Sequence, residues 1–442
     1  MRHLLTILLC FCSTFVVFAQ TASLSGRVYD ALNNDPIPFA NVVLQNTNFV
    51  TTTDDNGNYT FSNLPASLYN IIVSFVGYKN ATIFEVQLSN ARPTIIDIPL
   101  ENSAEELKTV EIKAEAFRKS EESPLSLRSI GVNEIKRNPG GNRDISRAIQ
   151  SLPGVASTPS FRNDILIRGG APSENRFFID GIEIPVINHF STQGSSGGPV
   201  GIINVDFVSD VEFYSGAFPA ARGNALSSVF DFRFKDGNRE RLNFNATLSG
   251  TDIGATLEGP IGKKTTFILS ARRSYLQFLF QALQLPILPT YNGFQFKIKH
   301  NINPKNTITL LGIGAIDQFS LNDNLPTAQE TDSLTAEYNQ YIYNQLPINN
   351  QWNYTIGAKY TNFRKNSYTN IILSRTHLNN RAYKYQNNDD TDATKLLLDY
   401  KSQEIENKLR IEDITRLPHN IKLTIGTGTE FAKYLNSTYQ KI

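Results

Sequence analysis

The sequence predicts a mainly β protein: an N-terminal β-sandwich, an α+β domain, and the first part of an antiparallel transmembrane β-barrel. Three observations carry this. Short apolar runs separated by turn residues fill residues 21–100; residues 130–236 mix one helical pattern with short strands; from 237 onward apolar and polar residues alternate over long segments. A period of two belongs to a strand, whose successive side chains point to opposite faces.

Composition narrows the function. Among 442 residues, 42 Lys and Arg face 41 Asp and Glu, a net charge of +1. No field of one sign exists to recruit nucleic acid. Residues 1–20 read as a secretory signal peptide: Arg2 and His3 open it, apolar residues run from Leu4 to Phe18, and Ala19 supplies a small residue for cleavage. The only cysteines, Cys10 and Cys12, lie inside it, so the exported chain is expected to have no disulfide framework. The apolar stretch at 278–288 is broken by Gln281, Gln284 and Pro286 and cannot serve as a membrane helix.

In residues 21–100, LSGRVYD, PFANVVLQ, NYTFSNL and NIIVSFVGY read as strands of a small sandwich. Asp54-Asp55-Asn56-Gly57 suits a tight hairpin turn. Gly26-Arg27-Val28, residues 38–42, Thr53-Asp54 with Gly57 and Tyr59, Leu64-Pro65 and Gly77-Tyr78 resemble the carboxypeptidase-regulatory-like domain, a transthyretin-like sandwich. The resemblance does not extend to peptidase chemistry. A zinc carboxypeptidase needs an HxxE pair and a distant His, and none of His3, His189, His300, His377 and His419 has Glu three residues on. No metal or cofactor is expected.

Residues 101–129 turn charged and read as an exposed linker. Within it Leu107, Lys108, Thr109, Val110, Glu111 and Ile112 can extend as one strand; an ordinary linker containing Val and Ile fits as well. In residues 130–236, NRDISRAIQSLPGV is predicted to be a short helix with Ile145, Ala148, Ile149 and Leu152 on one face, ended at Pro153-Gly154. Strands are expected at 165–168, 176–180 and 208–214, with a loop at 191–201. ILIRGGAPSENRFFIDGIEIP carries Arg168, Gly169 and Gly170, then Asp180 and Gly181. It has neither GxGxxG nor GK[ST] opening a helix, so it is no phosphate cradle. Asp180-Gly181 is expected to be a turn.

Beyond 237, Leu242, Phe244, Ala246 and Leu248 alternate with polar residues, as do Phe294, Phe296 and Ile298, then Tyr354, Ile356, Ala358 and Tyr360, then Ile421, Leu423 and Ile425. Segments of this length and period mark a membrane β-barrel, although a soluble sandwich strand alternates too. Tyr275, Tyr291, Tyr360 and Phe363, near strand ends, fit aromatic girdles and favour the membrane.

The run of motifs from Gly131 to Asp236 resembles the plug domain of TonB-dependent receptors of the bacterial outer membrane. Residues 151–155 (SLPGV), 165–169 (ILIRG), 178–181 (FIDG), 210–216 (DVEFYSG) and 221–223 (ARG) match its motifs in order; Arg222 stands where an aromatic residue is usual. The resemblance implies an outer-membrane importer and not an enzyme; no nucleophile, metal or carboxylate pair stands in a recognisable setting. It places a TonB box at Leu107 to Ile112, bound by TonB as an added strand, main chain to main chain. The partners implied are TonB with its inner-membrane energising complex, outer-membrane lipid, a small-molecule, glycan or peptide ligand, and a surface lipoprotein. A plug in a polar lumen suits Arg143, Arg147, Arg162, Arg168 and Arg176. Arg168 is expected either to pair with a carboxylate or to be solvated at a strand end. Asn188, His189 and Phe190, in the loop after Asp180-Gly181, are expected to face outside and touch substrate. The competing class is a surface adhesin of soluble β domains, without transport. Barrels of such transporters have about twenty-two strands, whereas residues 237–442 supply about nine or ten at the usual strand length, so the chain is expected to be a fragment.

Overall fold

The computed structural model describes residues 21–103, 127–141, 143–157, 162–191, 197–325, 333–418 and 421–441. The signal peptide and the TonB-box segment at 107–112 lie outside these residues. The chain divides into two compact units, one within Met1–Ile112 and one within Lys113–Ile442.

The first unit is a sandwich. One sheet holds β1 (Ala22–Asp30), β4 (Asn58–Leu64), β7 (Thr94–Ile95) and β8 (Ile98–Leu100); the other holds β2 (Asn41–Leu44), β3 (Val50–Thr52), β5 (Leu68–Ser74) and β6 (Ala81–Gln87). β1 alternates buried and half-buried positions, so Leu24 and Val28 meet Val42, Leu44 and Ile71 in one core. The turn at 54–57 differs from the expected hairpin: β3 pairs with β2 and β4 with β1, so the turn carries the chain from one sheet to the other. Its local chemistry still explains the residues. The Asp54 carboxylate accepts from the amides of Asn56 and Asn58 at 2.9 and 2.7 Å, and Gly57 adopts φ +75°.

The second unit joins an α+β domain to a large sheet. The domain contains β9 (Leu127–Gly131), α1 (Val132–Arg137), α2 (Ile145–Gln150), β10 (Val155–Ser157), β11 (Ile165–Ile167), β12 (Asn175–Ile179), β13 (Ile182–Ile184), β14 (Asn188–His189), β15 (Val200–Gly201), β16 (Val208–Tyr214) and β17 (Ser228–Phe234). Asp144 caps α2 by accepting from Ser146 N at 2.8 Å. The main sheet runs β13-β12-β17-β16-β9, with β12 and β17 parallel. β17 is buried on both faces, as a parallel interior strand should be. Phe230 at its centre stacks on Phe213 at 4.6 Å and on Phe177 at 5.6 Å.

The large sheet is an antiparallel meander of nine strands in chain order: β18 (Asn243–Leu248), β19 (Asp252–Ile261), β20 (Thr265–Ser274), β21 (Ile287–Asn303), β22 (Asn306–Leu321), β23 (Ile348–Phe363), β24 (Ser367–Tyr385), β25 (Leu396–Arg416) and β26 (Lys422–Gln440). Short connections at one end alternate with longer ones at the other, two of which contain α3 (Leu276–Ala282) and α4 (Ser333–Gln345). The sheet is inverted relative to a soluble fold. Phe244 and Leu248 are 69% and 77% exposed, whereas Gln295 and Lys297 are 3% and 6% exposed against the α+β domain. Tyr291 does not join an aromatic girdle: it points inward, is fully buried, and donates to Asp252 Oδ2 at 2.7 Å. No helix among the described residues is long and apolar enough to cross a membrane, which leaves crossing by strands open.

Candidate functional site: the seat of the α+β domain on the strand wall

The stretch that carries the Arg-Gly-Gly and Asp-Gly motifs forms β11, a turn, β12 and β13. Ile179 faces Ile182 across the strand pair, so Asp180 and Gly181 form a two-residue hairpin loop. Both have positive φ, +50° and +87°, the signature of a type I′ turn, which Asp-Gly adopts most readily. This turn is driven into the wall. Lys297 of β21 places Nζ 2.9 Å from Asp180 Oδ2 and 2.9 Å from Asp236 Oδ1. Lys359 of β23 reaches the Asp180 carbonyl at 3.5 Å, and Arg410 of β25 donates to the Gly181 carbonyl. Ile182 beside the turn presses on Gly357, where any Cβ would lie 2.6 Å from the isoleucine Cδ1. A side chain at 357 would force Ile182 to shift.

Two further contacts lie along β25. Lys408 pairs with Glu183 of β13 at 2.8 Å and with its neighbour Glu406 at 2.9 Å. Arg222 pairs with Asp231 at 2.5 Å, comes within 3.7 Å of Glu412 on the wall, and lies 4.9 Å over the Phe178 ring. The arginine that departs from the usual aromatic thus stacks on an aromatic and adds a charge facing the wall.

At the other end of the seat, His189 Nδ1 lies 2.7 Å from Asp317 Oδ1, the Phe190 amide donates to Asp317 Oδ2 at 2.8 Å, and the His189 ring stacks on Tyr291 at 4.3 Å. Asn188 accepts from Ser146 Oγ at 2.7 Å. Asn188 and His189 are fully buried, so in this state they face the wall and the domain's own interior, not the outside; Phe190, half-buried against Phe319, is the most accessible of the three. Nearer the start of the sheet, Asn204 donates to Ser270 Oγ at 2.9 Å and Arg272 donates to the carbonyls of Gly201 and Ile202.

Asp206 gathers Arg143 at 2.6 Å and Lys136 at 2.9 Å within the domain, and accepts from Asn245 of β18 at 3.1 Å. Burial alone would raise its pKa, but the cations at Lys136, Arg143 and Lys235 more than offset this and hold it below the usual carboxylate range. Asp236 follows the same pattern, with Lys297 and Lys299 outweighing its burial.

Of the two expectations for Arg168, the exposed side chain at a strand end is the one the structure has. With φ +50° at the turn after β11, its guanidinium donates to Ser215 Oγ at 3.3 Å, and among the described residues it pairs with no carboxylate. Gly169 continues the turn at φ +81°, and a Cβ on Gly170 would lie 2.5 Å from Ser227 Oγ. The seat is also less purely polar than expected: Ile268, Leu311, Ile313, Ala315, Ile372 and Leu378 of the wall join the domain's apolar core. Lys359, Lys408 and Arg410 were not singled out from the sequence. The available signal was the period of two, which puts Glu406, Lys408, Arg410 and Glu412 on one face of β25.

Comparison with known proteins accords with this architecture. Residues 24–112 match the carboxypeptidase-regulatory-like domain, and residues 119–229 match the TonB-dependent receptor plug domain. A mutant of the ferric enterobactin receptor of Pseudomonas aeruginosa superposes with a TM-score of 0.51 at 15% identity, over 70% of this chain and 49% of that one. Another mutant of that receptor, in complex with enterobactin, gives 0.50 at 14% identity, over 71% and 50%. The siderophore receptor PirA of Acinetobacter baumannii gives 0.47 at 13% identity, over 70% and 48%. The chain therefore spans about half the length of these structures, and at such identity the likeness to the ferric enterobactin receptor is one of fold. No curated protein matches it in sequence.

Proposed function

We propose that this chain, which carries the plug domain of a TonB-dependent receptor against a lipid-facing strand wall, acts in TonB-driven import of a ligand across the bacterial outer membrane. The observation that supports this most is the seat itself. The plug's Asp-Gly turn is held by wall cations, while the opposite face of the wall exposes Phe and Leu as a lipid-embedded sheet requires. Buried ion pairs give little net stability because desolvation offsets their attraction, but they fix geometry. A plug seated this way is held in register by its polar contacts, while its apolar strip opposes release.

In this scheme a ligand binds from the side of the longer connections, and residues 107–112 add as a strand to TonB. Energised TonB then draws on the plug from its N-terminal side. Phe190 is the first plug residue to test for ligand contact. A small molecule of the kind the solved receptors take comes first among ligands, with glycans and peptides after it.

The test is cross-linking. With residues 1–20 removed the sequence holds no cysteine, so Val110→Cys introduces a unique thiol. Purified TonB C-terminal domain carrying a cysteine on its sheet edge is expected to form a disulfide with this variant, and to form less with a cysteine at exposed Asn56 of the sandwich. Equal cross-linking at both positions would contradict the assignment.

A further inference from the structure

The outer face of the wall carries a cation that its own fold leaves without a counter-charge. β24 alternates strictly: Ile372, Ser374 and Thr376 are buried on the plug side, and Leu373 and Arg375 are exposed on the other. The Arg375 guanidinium donates to Tyr354 Oη at 3.2 Å and to Asn407 Oδ1 at 2.9 Å, both neutral. Two other arginines on this face are neutralised, since Arg364 contacts Asp413 and Arg381 lies 3.3 Å from Asp399, whereas Arg273 at the end of β20 donates to the neutral Asn292 Oδ1 at 3.0 Å. Among the described residues Arg375 has no such carboxylate. Beside it, Trp352 stacks on Tyr354 at 6.1 Å and meets His377 edge-on at 4.6 Å, and His377 Nε2 is covered without a hydrogen-bond partner.

The level of this cluster follows from the strands. On one side of it the outward residues Ile356, Leu373, Leu409 and Ile411 are exposed and apolar; on the other lie Asn379, Arg381 and Lys401. Trp and Tyr collect at the boundary between hydrocarbon and headgroups. The strand ends that the longer connections join, Leu321 with Ile348 and Tyr385 with Leu396, lie toward the polar side, and in such barrels the longer loops are the extracellular ones.

We propose that Arg375, with Trp352, Tyr354 and His377, forms a binding site for the phosphorylated sugar headgroup of an outer-leaflet glycolipid. The guanidinium has donors to spare and a planar fork that suits phosphate. The flat aromatic rings beside it suit the sugar to which that phosphate is attached. The site rests on the reading of the sheet as lipid-facing.

Trp352 is the only tryptophan of the chain, so its emission reports this site directly. The full chain is reconstituted in phosphatidylcholine vesicles doped with bis-phosphorylated lipid A, with dephosphorylated lipid A, or with phosphatidylglycerol, and flotation first establishes insertion. A saturable change in Trp352 emission is expected with phosphorylated lipid A and not with the other two. Arg375→Gln is expected to weaken the response about tenfold, as loss of a charge-assisted contact should. Arg375→Lys should fall between, and Arg381→Gln, whose arginine is already paired, should leave it unchanged. An equal response to dephosphorylated lipid A or to phosphatidylglycerol, or an unchanged response in Arg375→Gln, overturns the site. Failure to float with vesicles of any composition overturns the barrel reading instead.

Discussion

Lys297 concentrates the chemistry of the seat in one side chain. Its ammonium, 7% exposed, bridges Asp180 of the plug turn and Asp236 of the plug–wall connection, and Lys299 supplies Asp236 with a second cation. Removing one partner of a buried pair costs about 3–5 kcal/mol, because it strands the remaining charge. Lys297→Met is therefore expected to loosen the plug, read as faster proteolysis or hydrogen exchange at β12 and β13 with the wall strands unaffected. Asp206 supplies a pH dependence. Its folded pKa is held below the ordinary value, so its contribution is present above about pH 4 and is lost as pH falls through the lowered value. Plug protection should weaken over that interval, and Asp206→Asn should remove that part of the pH dependence while lowering protection at neutral pH. The sequence announced Asp180 as a turn residue because Asp-Gly is local chemistry. It could not announce Lys297 as the partner, since that contact spans more than a hundred residues and depends on how strands pair. Arg168 shows the converse: its motif is plain in the sequence, yet its backbone sits in a positive-φ turn that aims the side chain at Ser215.

Among elements, the β12–β13 hairpin is the part whose geometry is most demanding. Gly181 holds φ +87°, and a Cβ there would come within 3.2 Å of Arg410 Nη2 and 3.4 Å of Ile372 Cδ1. Gly181→Val should cost about 1–2 kcal/mol from the left-handed backbone alone, with a further loss from displacing Arg410. The measurement is the urea midpoint of plug release, followed by protease resistance, and Gly181→Asn should be milder because Asn tolerates that conformation. The strands of the wall were legible because a period of two is strong over segments of this length. Which face points to the plug was not, because alternation is the same for a sandwich and a barrel. Tyr291 shows the cost of that ambiguity: placed near a strand end it suggests a girdle, but its parity along β21 turns it inward to Asp252. The turn at 54–57 was legible as a turn, while its connection between two sheets depends on pairings far away in sequence.

For the molecule as a whole, the central claim is that the wall turns its apolar face to lipid and its polar face to the plug. A substitution separates this from a soluble β fold. Leu373 is exposed; in a soluble protein Leu373→Arg would be nearly neutral, whereas on a lipid-facing strand, just inside the headgroup boundary, it should cost about 1–2 kcal/mol, between the interface and midplane values, and lower the yield of vesicle-inserted protein. The most direct measurement uses Trp352, which stands 37% exposed on that same face. In vesicles containing phosphatidylcholine with brominated acyl chains, its emission is expected to be quenched, and to resist acrylamide added to the water. Strong acrylamide quenching with no effect of the brominated chains would contradict the account.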